Sequence, residues 1–169
     1  MFQVSRFKFQ AKGFTLLETI IVIGITAVIA GVGISSYIGQ QRSRVLDNTV
    51  KEVVGFLRYT RQKSIVQEQG QQWGVHFENP TEGKGLYALY YGETYSSPAE
   101  TRYLPAGITF QEPVSGNSVD MSFEKLTGFL TVGPYQQVIL EDVSGRTINI
   151  LICKQGLITF DRGIEVCGD

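Results

Sequence analysis

The stretch KGFTLLETIIVIGITAVIAGVGISSYIGQQR, residues 12–42, decides the fold of this chain. Between Glu18 and Arg42 it contains 23 consecutive residues without a charged side chain. A helix needs about 20 predominantly apolar residues to cross the hydrocarbon core of a bilayer. The sequence therefore predicts that residues 14–38 form a membrane-spanning helix.

The charges beside this segment indicate its orientation. Three basic residues (Arg6, Lys8 and Lys12) precede it, and Arg42 and Arg44 follow it. This bias favours a cytoplasmic N-terminus in an inner or cytoplasmic membrane, with the rest of the chain extracytoplasmic. A cleaved secretory signal peptide is the main alternative. Its apolar region usually has about 7–15 residues and ends at a small-x-small site, whereas this run is longer and lacks Ala-x-Ala, so we expect it to remain in the mature protein.

Glu18 is the one acid near the start of the apolar run. A carboxylate inside an apolar span is costly in free energy and usually has a partner that neutralises it. Two interpretations are open: Glu18 is an interfacial charge at the end of the helix, or it has a functional role.

Residues 12–18, Lys-Gly-Phe-Thr-Leu-Leu-Glu, resemble the type IV prepilin (class III) signal. The resemblance implies that residues 1–13 are a leader and that a membrane-bound prepilin peptidase cuts after Gly13. It also implies that the peptidase N-methylates Phe14 and that Glu18 takes part in subunit assembly. The new Phe14 amine, or that of a neighbouring subunit, would then neutralise Glu18.

Helical periodicity continues beyond the apolar run. Apolar residues recur at helical spacing on one face: Leu46, Val50, Val53, Val54, Leu57 and Ile65. Gly70 is a helix stop signal, so the sequence predicts one helix from Phe14 to Gln69. Residues 39–70 form its amphipathic continuation, which needs a partner surface.

Residues 71–169 read as an antiparallel β head. Trp73, Val75 and Phe77 alternate with polar residues, as in a half-buried strand. Strands are also predicted around residues 86–91, 102–110, 119–123 and 157–160, together with a hairpin of 137–142 and 146–153. The predicted fold class is α+β, a long helix packed on an antiparallel sheet. The prepilin resemblance implies the same pilin-like architecture.

The resemblance can be narrowed further. Residues 57–66, followed by Gly70 and Val75, are similar to the segment after the span in H-type minor pseudopilins of type II secretion and in related minor type IV pilins. Residues 104–108, 121–123 and 158–160 also follow the order found in that family. These similarities would place the whole chain in it.

The two cysteines, Cys153 and Cys167, leave two possibilities open. They form no CxxC pair and have no companion histidine at metal-ligand spacing, so zinc and redox interpretations are weak. In an oxidising compartment they would form a disulfide that ties down the C-terminus. Two free buried thiols are the alternative.

The single histidine and the charge distribution of the chain argue against catalysis and nucleic-acid binding. His76 is the sole histidine, lies on the predicted polar face of a strand and has no triad partners nearby, so no catalytic, metal or cofactor residues can be named. Residues 1–13 carry three of the 15 basic residues and none of the 16 acidic ones, so the mature chain would have a net charge of −4. The last nine residues carry one arginine and three acids, unlike a phosphate-binding surface.

The sequence thus predicts a structural subunit, a minor pilin or pseudopilin of a type IV pilus or type II secretion pseudopilus. Its expected partners are the prepilin peptidase, other pilin or pseudopilin subunits and the membrane. A single-pass, membrane-anchored extracytoplasmic binding module is the alternative, and a DNA-uptake pilin is less favoured.

Overall fold

The computed structural model describes Gly13, residues 15–161 and Cys167, without the side chains of residues 31–43 and Asp161. The chain forms two compact units, Met1–Gln41 and Arg42–Asp169. Two parts of the predicted N-terminal signal lie outside the described residues: leader residues 1–12, and Phe14, to which cleavage and methylation are assigned. The side chains of residues 31–38 also lie outside them.

One helix and eight strands make up the described part of the chain. Helix α1 spans Leu16–Ile65, and a single 3₁₀ turn, Glu68–Gly70, follows it. The strands are β1 (Trp73–Asn79), β2 (Leu86–Tyr91), β3 (Glu100–Tyr103), β4 (Ile108–Glu112), β5 (Asn117–Phe123), β6 (Tyr135–Asp142), β7 (Thr147–Cys153) and β8 (Ile158–Asp161). No helix among the described residues has the length and apolar content needed to cross a membrane.

The predictions of an α+β fold and of an antiparallel β head are confirmed, although the sequence analysis did not divide the strands into separate sheets. The strands form two four-stranded antiparallel sheets: sheet A with the order β3-β2-β1-β5, and sheet B with the order β4-β6-β7-β8. The predicted hairpin is confirmed as β6–β7, in which Val138 faces Ile150. Alternating sequence patterns identify strands but not their partners, so they did not separate the two sheets.

One face of α1 forms the centre of the hydrophobic core. Leu46, Val50, Val53 and Leu57 are completely buried, in a cluster that also contains side chains from both sheets. Burial of each such side chain contributes about 1.5–3 kcal/mol. The predicted amphipathic face of α1 therefore packs against the β head.

Helix α1 ends four residues earlier than predicted, at Ile65. Gln67 and Gln69 have left-handed backbone conformations (φ 53° and 59°), and Gly70 has φ 68°. The N–H of Gln67 donates to the carbonyl of Ser64 at 3.1 Å, a 3₁₀-type bond that ends the α-helical pattern.

The buried hydroxyl of Ser64 joins α1 to the first strand. Its Oγ accepts a hydrogen bond from the N–H of Trp73 at 2.7 Å and donates to the carbonyl of Trp73 at 3.2 Å. Both backbone groups of Trp73 are thereby satisfied in the interior, at the point where β1 begins.

Cys153 and Cys167 form a disulfide in the structure, with their Cα atoms 5.6 Å apart. Cys153 is the last residue of β7, and its partner lies 14 residues further along the chain. The bond therefore connects sheet B to the C-terminal segment.

Ser64→Ala will lower the free energy of unfolding by about 1–3 kcal/mol, because the N–H and C=O of Trp73 lose a buried partner. Thr60→Val is the matched control: Thr60 is equally buried, but its hydroxyl only adds a second bond to the carbonyl of Phe56. Urea unfolding of the detergent-solubilised chain, followed by the fluorescence of its single tryptophan, measures both variants. Equal losses in the two variants would contradict the role given to Ser64.

Cys167→Ser will lower the free energy of unfolding by about 3 kcal/mol, the value expected for opening a loop of about 15 residues. A reductant should destabilise the wild-type chain by the same amount and leave the variant unchanged. Urea unfolding with and without the reductant is the measurement. A variant as stable as the wild type would show that the cross-link does not stabilise the head.

Candidate functional site

Thr15, the residue that precedes α1, caps the N-terminus of the helix. The N–H of Glu18 donates to Thr15 Oγ1 at 3.2 Å, and the Thr15 carbonyl accepts from the N–H of Thr19 at 3.2 Å. A threonine cap with a glutamate three residues later is a capping-box pattern. The sequence Thr15-x-x-Glu18 carried this signal, but sequence reasoning gave Glu18 only an interfacial or assembly role.

Glu18 lies in the first turn of α1, beside the unpaired N–H groups of the helix end. The positive end of the helix dipole stabilises a carboxylate there. Among the described residues Glu18 has no ion-pair partner within 4.0 Å. The cation assigned to it by the prepilin resemblance, the Phe14 amine, lies outside the described residues.

The helix that follows Glu18 has an uncovered apolar surface. The side chains of its large apolar residues are between 52% and 80% exposed: Leu16, Leu17, Ile20, Ile21, Val22, Ile23, Ile25, Val28 and Ile29. They occupy all sides of the helix. Contact of such a surface with water is unfavourable.

His76 lies beside the carboxylates of Asp120 and Glu78 on the outer face of sheet A. It is only 7% exposed, because the ring of Tyr95 from the β2–β3 loop stacks on it with centroids 3.8 Å apart. His76 Nδ1 lies 2.5 Å from Asp120 Oδ1. Next to this cluster, burial raises the pKa of Tyr90 to about 12. The stacked rings of His76 and Tyr95 hold the β2–β3 loop against the outer face of sheet A.

Arg61 has a role that the sequence analysis missed. Its Nε donates to the carbonyl of Gly128 at 2.9 Å and its Nη2 to the carbonyl of Gln155 at 3.4 Å. A Cβ atom at Gly156 would lie 2.2 Å from Arg61 Nε, so only glycine leaves room for the guanidinium. The glycines of two turns were a possible signal, but nothing in the sequence connects them to α1.

Comparison with protein families gives one match, the Prokaryotic N-terminal methylation motif, at residues 8–34. The matched residues include Gly13, Phe14 and Glu18, together with the capped start of α1. Comparisons with curated proteins and with solved structures gave no match. The chain therefore carries a prepilin-type N-terminal signal of the type IV pilin-like class.

Proposed function

We propose that this chain is a structural subunit, a minor pilin or pseudopilin, of a type IV pilus or type II secretion pseudopilus. The observation that carries the proposal is the match of residues 8–34 to the methylation motif. The similarity of residues 57–66 is shared by H-type minor pseudopilins and related minor type IV pilins, and it supports both forms of the proposal. The proposed role is mechanical rather than enzymatic.

The geometry of the N-terminus suits this processing and assembly. Cleavage after Gly13 would leave Phe14 as the first residue and its amine as a new cation near the start of α1. The side-chain hydroxyl of Thr15, which accepts from the N–H of Glu18, keeps Glu18 in the first turn. A carboxylate at this place in an apolar helix favours a cationic partner, and we assign that role to the Phe14 amine of the same or a neighbouring subunit.

The exposed apolar surface of residues 16–29 suits burial first in a membrane and then in a filament. In the proposed pathway, residues 14–38 first anchor the chain in the inner or cytoplasmic membrane, with the N-terminus cytoplasmic. The same segment then packs among the helices of other subunits in the filament. The disulfide between Cys153 and Cys167 favours an extracytoplasmic head, because disulfides persist in oxidising compartments.

N-terminal mass spectrometry of the membrane-extracted chain tests the proposal. We expect a mature chain that begins with Phe14 and carries one added methyl group. Gly13→Val is expected to abolish cleavage. Since no atom of the described residues, apart from the chain neighbours of Gly13, lies within 4 Å of a Cβ placed there, that result would report recognition by the peptidase rather than a folding defect. An intact Met1 terminus in the wild type would favour the anchored binding module instead.

Glu18→Gln is expected to leave cleavage after Gly13 intact and to lower incorporation into filaments by roughly tenfold or more, because the carboxylate no longer attracts the amine. The measurement is the amount of mature protein in sheared filaments, or the amount of secreted protein for a pseudopilus. Glu82→Gln removes an exposed acid in the β1–β2 turn and is the matched control. Normal assembly of Glu18→Gln would contradict the assembly role.

A further inference from the structure

A cavity of about 490 Å³ lies between α1 and the turn that joins β7 to β8. Its lining residues are Arg58, Arg61, Gln62, Gln155, Gly156, Leu157 and Ile158. The side chain of Leu157 is 62% exposed at this site. The cavity thus combines two cations, two amides and an exposed apolar side chain.

The two arginines are fixed in position before any ligand binds. Arg61 is held by the carbonyls of Gly128 and Gln155, and Arg58 Nη2 donates to the carbonyl of Ile158 at 3.1 Å. A guanidinium has five N–H donors, so most donors of both side chains remain available. Little side-chain entropy is lost when a ligand binds to groups that are already ordered.

Carboxylates neutralise the other arginines that hold the head together, but not these two. Arg102 pairs with Glu52 and Glu100, and Arg146 pairs with Asp47 and Asp142. Within the described part of the chain, no carboxylate oxygen lies within 4.0 Å of Arg58 or Arg61. Two adjacent guanidiniums without a counter-charge among the described residues favour a carboxylate ligand, which they can bind bidentately.

The β6–β7 turn carries complementary chemistry. Val143 at its tip is 66% exposed, and Glu141 beside it has no ion-pair partner among the described residues. Asp142 Oδ1 accepts hydrogen bonds from the N–H groups of Ser144 (2.8 Å) and Arg146 (3.1 Å), so the turn is rigid. It presents an acid and an apolar side chain together.

This turn and the cavity lie at different levels along α1. The turn is attached near Asp47 through Arg146, whereas Arg58 and Arg61 follow 11 and 14 residues later. At 1.5 Å per residue the separation along the helix is about 17–21 Å. The turn of one copy therefore does not reach its own cavity, but it can reach the cavity of a second copy.

We propose that the β6–β7 turn of one copy docks into the Arg58–Arg61 cavity of the next copy, with Glu141 on the guanidiniums and Val143 against Leu157. Such a contact is head-to-tail, and when it does not close into a ring it builds a helical filament. The proposal rests on the proposed function and names a subunit contact within it. The β1–β2 turn is a poorer candidate, because Lys84 offsets the charge of Glu82 and no large apolar side chain is exposed there.

Cross-linking tests the contact on the full-length chain in membranes. Val143→Cys combined with Leu157→Cys should give, after treatment with a short bis-maleimide, a ladder of dimers, trimers and higher multiples of the chain. Each single variant should give at most a dimer. Absence of the ladder overturns the contact, as does cross-linking only to other proteins. The mass of the N-terminus, measured in parallel, reports separately on the proposed function.

Charge-reversal variants, made in the chain that carries Val143→Cys and Leu157→Cys, provide a second test of the contact. Arg58→Glu or Glu141→Arg should reduce the ladder by roughly threefold to tenfold, the range for one to two partly exposed ion pairs. The combination Arg58→Glu with Glu141→Arg should restore it. Arg44→Glu and Glu82→Lys change exposed charges elsewhere and should have no effect. A combination no better than the single variants overturns the pairing of Glu141 with Arg58.

Discussion

The head depends on the burial of one face of α1 by two separate sheets. Among the described residues no strand of sheet A pairs with a strand of sheet B. The shared core and α1 hold the sheets together, with side-chain hydrogen bonds from Asn79 to the Phe110 carbonyl and from Gln136 to the Asp120 carbonyl. Leu46, Val50 and Leu57 supply the apolar contact. Ser64 binds sheet A through Trp73, and Arg58 binds sheet B through Ile158. A four-stranded sheet needs such a covering layer, because its apolar face is otherwise exposed to water.

Periodicity in the sequence was sufficient to predict the elements that are encoded by residues close together in the chain. The apolar face of α1 and the β6–β7 hairpin are both encoded by neighbours a few residues apart, and both predictions are confirmed. The N-terminal signal is likewise local, because Gly13, Phe14 and Glu18 lie within six residues, and the family comparison recognises it. The spacing Thr15-x-x-Glu18 also carries the signal of a threonine cap, which the sequence analysis did not use.

The features that sequence reasoning missed depend on contacts between distant residues. Division of the strands into two sheets depends on which strands become neighbours, and alternation does not encode this. His76 was assigned to the polar face because it alternates with Val75 and Phe77, but alternation gave no sign that Tyr95 from a separate loop would cover it. Arg61 was not identified from the sequence, because its partners, Gly128 and Gln155, follow 67 and 94 residues later.

Glu18 is the residue whose free energy would differ between a lipid and a protein environment. Lipid tails and packed helices cover an apolar side chain such as Ile20 about equally well. They do not treat a carboxylate alike, because hydrocarbon offers no counter-charge, whereas a neighbouring N-terminal amine does. The carboxylate would therefore raise the free energy of the isolated helix in lipid more than that of a helix packed beside such an amine. In the proposed pathway, the apolar surface allows transfer from membrane to filament, and the single acid favours the filament.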